Sequence, residues 1–203
     1  MKTRITFTLS LLIVACSFQI AHAQSLIRNQ GFFYGVEGFY GVHSSLKTDH
    51  VYDTDTYSPS SYGLKASANW FSGYHLSTGV AVAVLNYEDP NMFTLPVVVN
   101  AQAYLNKGSN TPLAFVEGGY GFRLNNRKQD KGFIYEAGIG YRYRLKWSNF
   151  LVVKAGYHTF INNEWDWFRK LGDEYDPESP YRWYDLRRHT INLSIGFYYS
   201  TRY

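Results

Sequence analysis

Glu37, Lys65, Glu117 and Lys154 lie far apart in the chain, yet each falls mid-segment in a run alternating between apolar and small or polar residues. Glu136, Arg142 and Arg144 share that parity within their own run. Carboxylates and cations gathered in one enclosed space can act as structural ion pairs, as an ion pathway or as an acid–base site. An isolated buried charge costs roughly several kcal/mol, so these seven residues are expected to pair as a network. His158 is the one histidine that invites a catalytic reading, with the hydroxyl of Thr159 beside it. Its parity places it among the charged residues, where a hydrogen-bonded interior histidine is the alternative.

Other chemistry is thinly represented. Asp49, Asp53 and Asp55, with Asp173, Glu174 and Asp176, make two connections acidic. They lack the glycine and distal glutamate of a calcium loop, so neither metal nor cofactor is expected. No CxxC pair, HExxH sequence or phosphate-binding glycine loop occurs, and Gly118-Gly119-Tyr120-Gly121 lies inside a strand-like run. Trp165, Trp167, Phe168, Arg169, Tyr181, Trp183 and Arg187 crowd one connection. Aromatic residues and arginine are the types that dominate binding hot spots. They are candidates for recognition, the alternative being that they cap the mouth of the fold.

Eight alternating segments position these residues: 32–43, 61–71, 75–87, 93–105, 112–124, 132–145, 150–161 and 189–203. All are longer than the five or six residues, roughly, of an average soluble strand, and all reach the roughly nine to eleven that a tilted membrane strand needs. The connections alternate in length, with the long ones at 44–60 and 162–188. Up-and-down membrane barrels have short turns at one end and longer loops at the other.

Sorting by parity gives two faces. One carries Val36, Leu64, Val80, Val82, Val97, Val99, Val116, Ile139, Val153, Leu193 and Ile195 at mid-strand, with tyrosine, tryptophan and phenylalanine toward both ends. An apolar band between two aromatic girdles suits lipid contact. The other face carries the charged network and many glycines. A soluble barrel would invert these faces, but its exterior would then carry rows of glycine that weaken a strand without packing against anything.

The start of the chain reads as an export signal. Lys2 and Arg4 precede a short apolar run, and Ala21-His22-Ala23 matches a cleavage site. The expected organisation is a signal peptide over 1–23 and one barrel domain over 24–203. Cys16 offers an alternative, a lipidated first residue. Cleavage after Ala23 removes Lys2 and Arg4 and lowers the net charge from +4 to +2, which gives no case for nucleic acid.

The runs PLAFVEGGYGFRL, GFIYEAGIGYRYRL and the closing INLSIGFYYSTRY resemble the small outer-membrane β-barrel proteins of Gram-negative bacteria, the class of the OmpA membrane domain and OmpX, and the broad "outer membrane β-barrel" type. The resemblance covers residues 31–203. It implies an all-β, eight-stranded, antiparallel up-and-down transmembrane barrel in the outer membrane, exported through the periplasm. It also implies contact with outer-membrane lipid and lipopolysaccharide, and recognition of the last strand by the insertion machinery. Thr201 stands where such terminal signals usually carry a more apolar residue. Three functions remain open at this point: a non-enzymatic barrel with a charged, side-chain-filled lumen and two long outer loops for surface recognition or envelope integrity; a lipid A-modifying acyl hydrolase or transferase; and a minor pore.

Overall fold

The computed structural model describes residues 29–48, 60–88, 92–124, 132–165 and 184–201. They form eight strands: β1 (Gly31–Thr48), β2 (Ser61–Phe71), β3 (Leu76–Tyr87), β4 (Met92–Tyr104), β5 (Thr111–Arg123), β6 (Gly132–Arg144), β7 (Asn149–Trp165) and β8 (Tyr184–Ser200). Every neighbouring pair is antiparallel, and β1 closes the barrel by pairing with both β2 and β8. At the seam Tyr34 stands opposite Tyr199 and Glu37 opposite Gly196. The seam ends on Thr201, whose hydroxyl accepts from the Phe32 N–H at 3.2 Å while its own N–H donates to the Phe32 carbonyl at 2.9 Å. A polar residue at this position therefore satisfies backbone groups where the ladder stops.

All eight expected strands are present, and three are longer than expected. β1 runs on to Thr48, β7 to Trp165, and β8 begins at Tyr184. The connections drawn at 44–60 and 162–188 are thus shortened at their edges, because the three strands go on pairing beyond the rest of the barrel. Leu46 stands opposite Arg188, and Asn162 opposite Leu186. The irregularity between His43 and Ser45 marks where β1 shifts register to keep that pairing. Residues 1–23, expected as a signal peptide and including Cys16, and Tyr203 lie outside the described residues.

Short turns at 72–75, 105–110 and 145–148 define one end of the barrel, called here the turn end; the opposite end is the loop end. Pro96 interrupts one ladder. β3–β4 pairing stops at Val82–Val97 and resumes in the same register at Leu85–Thr94. Proline has no N–H to donate, so a ladder bond is lost with no residue inserted.

Alternation turns the apolar band outward. Val99 is 65% exposed and Ile139 69%, as only lipid or a partner would cover comfortably. The interior is layered. Phe33, Phe71, Tyr104, Leu113, Phe115, Phe150, Val152 and Tyr198 form an aromatic layer toward the turn end. Leu85, Tyr87, Met92, Ile134 and Phe160, with Phe39, form a second apolar layer toward the loop end. Glu37, Lys65, Glu117 and Lys154 lie between, while Arg142 enters the first layer and Arg188, 5.0 Å from the Tyr87 ring centre, the second. The interior face expected from charged, polar and glycine residues thus also carries two apolar layers. The narrow bore of an eight-stranded barrel holds only side chains, and strands of this parity bring apolar ones to both ends. Close approach requires glycine at one pair in particular. Gly138 and Gly156 face each other across β6 and β7, and a Cβ on Gly138 would collide with the Ala155 carbonyl.

Candidate functional site: the lumen network

Glu37 is the hub. It projects inward from β1 and is 1% exposed. Lys154 Nζ of β7 donates to its Oε1 at 2.5 Å, and Ser194 Oγ of β8 donates to its Oε2 at 3.1 Å. The Tyr198 hydroxyl also donates to Oε1, and Lys65 Nζ of β2 stands 3.6 Å from Oε2. Lys65 makes its shorter contact with Glu117 Oε1 of β5, at 2.7 Å. Four strands of the expected network thus meet in one chain of charges, Lys154–Glu37–Lys65–Glu117. Glycines open the room for it: on β8, a Cβ at Gly196 would press on the Glu37 side chain.

A second cluster sits beside the first. His158 of β7 is 4% exposed. Its Nε2 is 2.8 Å from the Tyr87 hydroxyl and its Nδ1 is 3.2 Å from Glu136 Oε2. Asn192 Nδ2 donates to the same Glu136 oxygen at 2.9 Å. Between the clusters, near Lys65, Glu117, Glu136 and His158, remains a cavity of about 30 Å³, the space of one or two water molecules.

The two expected arginines stand apart from these ion pairs. Arg142, 1% exposed, points into the aromatic layer. Its guanidinium lies 4.6 Å from the Tyr104 ring centre and 5.0 Å from that of Phe150, with Phe33 and Phe71 each at 5.8 Å. Its nitrogens donate to Asn29 Oδ1 at 2.5 Å, Gly108 O at 3.0 Å and Ser109 O at 3.2 Å. These are neutral acceptors, so Arg142 seals the turn end and balances no carboxylate among the described residues. Arg144 is half-buried and donates to the Trp147 carbonyl at 3.3 Å, which places it in the turn outside the lumen network.

The reading of His158 as a catalytic residue loses its neighbour. Consecutive strand residues point to opposite faces, so Thr159 turns away from His158. The Thr159 hydroxyl instead sits 3.0 Å from His189 Nδ1, and Thr159 is 0% exposed, out of reach of a substrate. His158 holds Glu136 and Tyr87 in place. His158→Gln is expected to lower stability by about 1–2 kcal/mol, because one amide cannot serve both partners at those separations. Thermal unfolding followed by circular dichroism checks this.

The recognition candidates are only partly placed. Trp165 ends β7 and Arg187 lies on β8 with its side chain exposed. Trp167, Phe168, Arg169, Tyr181 and Trp183 fall outside the described residues, as do the acidic groups at 49–55 and 173–176. Among the interior residues that sequence reasoning left out are Asn29, Phe33, Phe71, Tyr87, Tyr104 and Phe150, and also Arg188, which was expected in the connection 162–188 and is instead buried on β8 against Tyr87. Strand parity was the signal for all but Asn29, which precedes β1, and Arg188, which lay outside the expected strand.

The crystal structure of the outer membrane protein OprG from Pseudomonas aeruginosa is similar to this chain, with a TM-score of 0.52 over 87% of the chain and 98% of OprG, at 14% identity. At that identity the likeness carries the fold. No protein-family model matches the sequence, and no curated protein matches it.

Proposed function

We propose that the chain is an integral β-barrel of the bacterial outer membrane that catalyses no reaction, with its turn end in the periplasm and its loop end outside. The observation that carries this is the pairing of an apolar exterior with an interior closed by side chains. A closed barrel satisfies its backbone in lipid, and this one leaves apolar side chains outward along every strand. The similarity to OprG supports the outer-membrane assignment, and the signal-like pattern of residues 1–23 supports export through the periplasm. The aromatic and arginine residues between β7 and β8, with Arg187, make the loop end the place for surface recognition or contact with lipopolysaccharide. The last strand is the segment that the insertion machinery would read.

The test combines location and folding. The protein should fractionate with outer membranes and migrate faster on a detergent gel unheated than boiled. Recovery in the soluble fraction with identical migration would overturn the proposal. The pore and enzyme readings make different demands. With two apolar layers and the salt-bridged middle in the way, the purified barrel is expected to give no unitary current steps in a planar bilayer. Deletion of the gene should leave the lipid A mass spectrum unchanged. Reproducible steps would establish the pore reading, and an altered lipid A the enzymatic one.

A further inference from the structure

Across the outward faces of β1 and β8, near the turn end, runs a groove of about 830 Å³. Tyr34, Val36, Phe197 and Tyr199 line it, and it ends on Lys146 and Asn149 of the β6–β7 turn. Its walls are apolar, with Phe197 66% exposed. The Tyr34 and Tyr199 rings pack 5.5 Å apart along it.

The turn at its end is held in an unusual shape. Trp147 has φ 55°, a left-handed conformation that bulky residues seldom adopt, and its side chain is 73% exposed. Arg144 grips the Trp147 carbonyl, Leu145 N donates to Asn149 O, and Asn149 N donates to Lys146 O, both at 3.0 Å. These bonds fix the turn in which exposed Lys146, which lines the groove, is followed directly by exposed Trp147. The charge at this end has one sign. Arg144, Lys146 and Lys107 lie at the turns, and no aspartate or glutamate does among the described residues.

We infer that this groove is a binding site for an anionic phospholipid of the surrounding bilayer. An acyl chain lies along Val36 and Phe197, and the headgroup phosphate meets Lys146 with Trp147 at the membrane–water boundary. The trough alone would take any acyl chain. The cationic end without an opposing acid selects a headgroup of net negative charge, and tryptophan belongs at that depth. The site rests on the membrane reading above.

The experiment refolds the whole barrel into vesicles of equimolar phosphatidylglycerol and phosphatidylcholine with matched chains, releases it into mild detergent and counts the retained lipids by native mass spectrometry. Phosphatidylglycerol should exceed phosphatidylcholine by about fivefold, the preference roughly one basic residue confers at a membrane surface. Lys146→Gln should reduce the ratio toward one, and Lys146→Glu should abolish it. Val36→Trp, which fills the trough, should lose both lipids. Heat-dependent gel mobility verifies that each variant is folded. Equal retention of the two lipids by the unaltered barrel, a preference that survives in folded Lys146→Glu, or lipid retention undiminished in Val36→Trp would each overturn the site. If the barrel fails to enter vesicles at all, the membrane reading fails instead.

Discussion

Replacing Glu37 with Gln is expected to lower the unfolding free energy of the barrel by about 3–5 kcal/mol, the range for stranding one partner of a buried ion pair. The substitution keeps volume and shape, so it opens no cavity; it removes the charge and turns one accepting oxygen into a donor that faces other donors. Lys65 retains Glu117 at 2.7 Å, whereas Lys154 has its only ion pair with Glu37 among the described residues. The damage therefore falls on Lys154, which is 3% exposed and cannot reach water. What remains beside its ammonium is a neutral amide in place of the carboxylate, with the rings of Phe115 at 5.2 Å and Tyr198 at 5.8 Å, and Glu117 acts on it only from beyond ion-pair distance. The double variant Glu37→Gln/Lys154→Met should regain most of the loss, because a flexible apolar chain packs against those rings and no unpaired charge is left. Urea titration followed by heat-dependent gel mobility measures both. A single variant within about 1 kcal/mol of the unaltered barrel, the scale of an exposed pair, would show that Glu37 is not a buried hub.

The strands and their faces were legible because a period of two encodes both. Glu37, Lys65, Glu117 and Lys154 share a parity, and parity alone sends them inward once the sheet closes. Which charges pair was not legible. That depends on stagger between strands distant in sequence, and it joins Lys154 of β7 to Glu37 of β1. Arg142 shows the limit best. Its sequence position puts it on the lumen face, yet nothing in the local pattern says that Phe33, Phe71, Tyr104 and Phe150 converge on it from four other strands. Those aromatics were passed over because an apolar residue on a mostly polar face reads as an exception. In a closed barrel the exceptions from several strands fall at one height and become a layer. Asn29 was invisible for another reason, since it precedes the first strand and is placed by its bond to Arg142. The ends of β1, β7 and β8 were misjudged because alternation fades where strands leave the apolar band, while hydrogen bonding continues.

That aromatic layer leads to the second large effect. Arg142→Ala removes a cation enclosed by four rings and leaves the carbonyls of Gly108 and Ser109 and the Asn29 amide without their donor. A loss of about 3–5 kcal/mol is expected, as for large truncations in a packed interior. Arg142→Lys should recover little of it. An ammonium carries the charge but lacks the delocalised guanidinium that sits 4.6 Å from the Tyr104 ring centre and the fork that reaches three acceptors in different directions. Arg142→Met, apolar and flexible, should be better tolerated than Lys, because no charge is left in the aromatic layer. The ranking Arg > Met > Lys, read from urea midpoints, separates this account from simple ion pairing, which would put Lys ahead of Met. The same variants should free the entry of the chain. Asn29 Nδ2 also donates to the Tyr74 carbonyl at 2.7 Å, so it ties the start of the described chain to the β2–β3 turn. Without Arg142 that tie is held at one end only, and cleavage by added protease just before Gly31 should accelerate in Arg142→Ala while the strands stay protected. Unchanged cleavage together with Lys outranking Met would show that Arg142 serves as a charge and does not act as the plug.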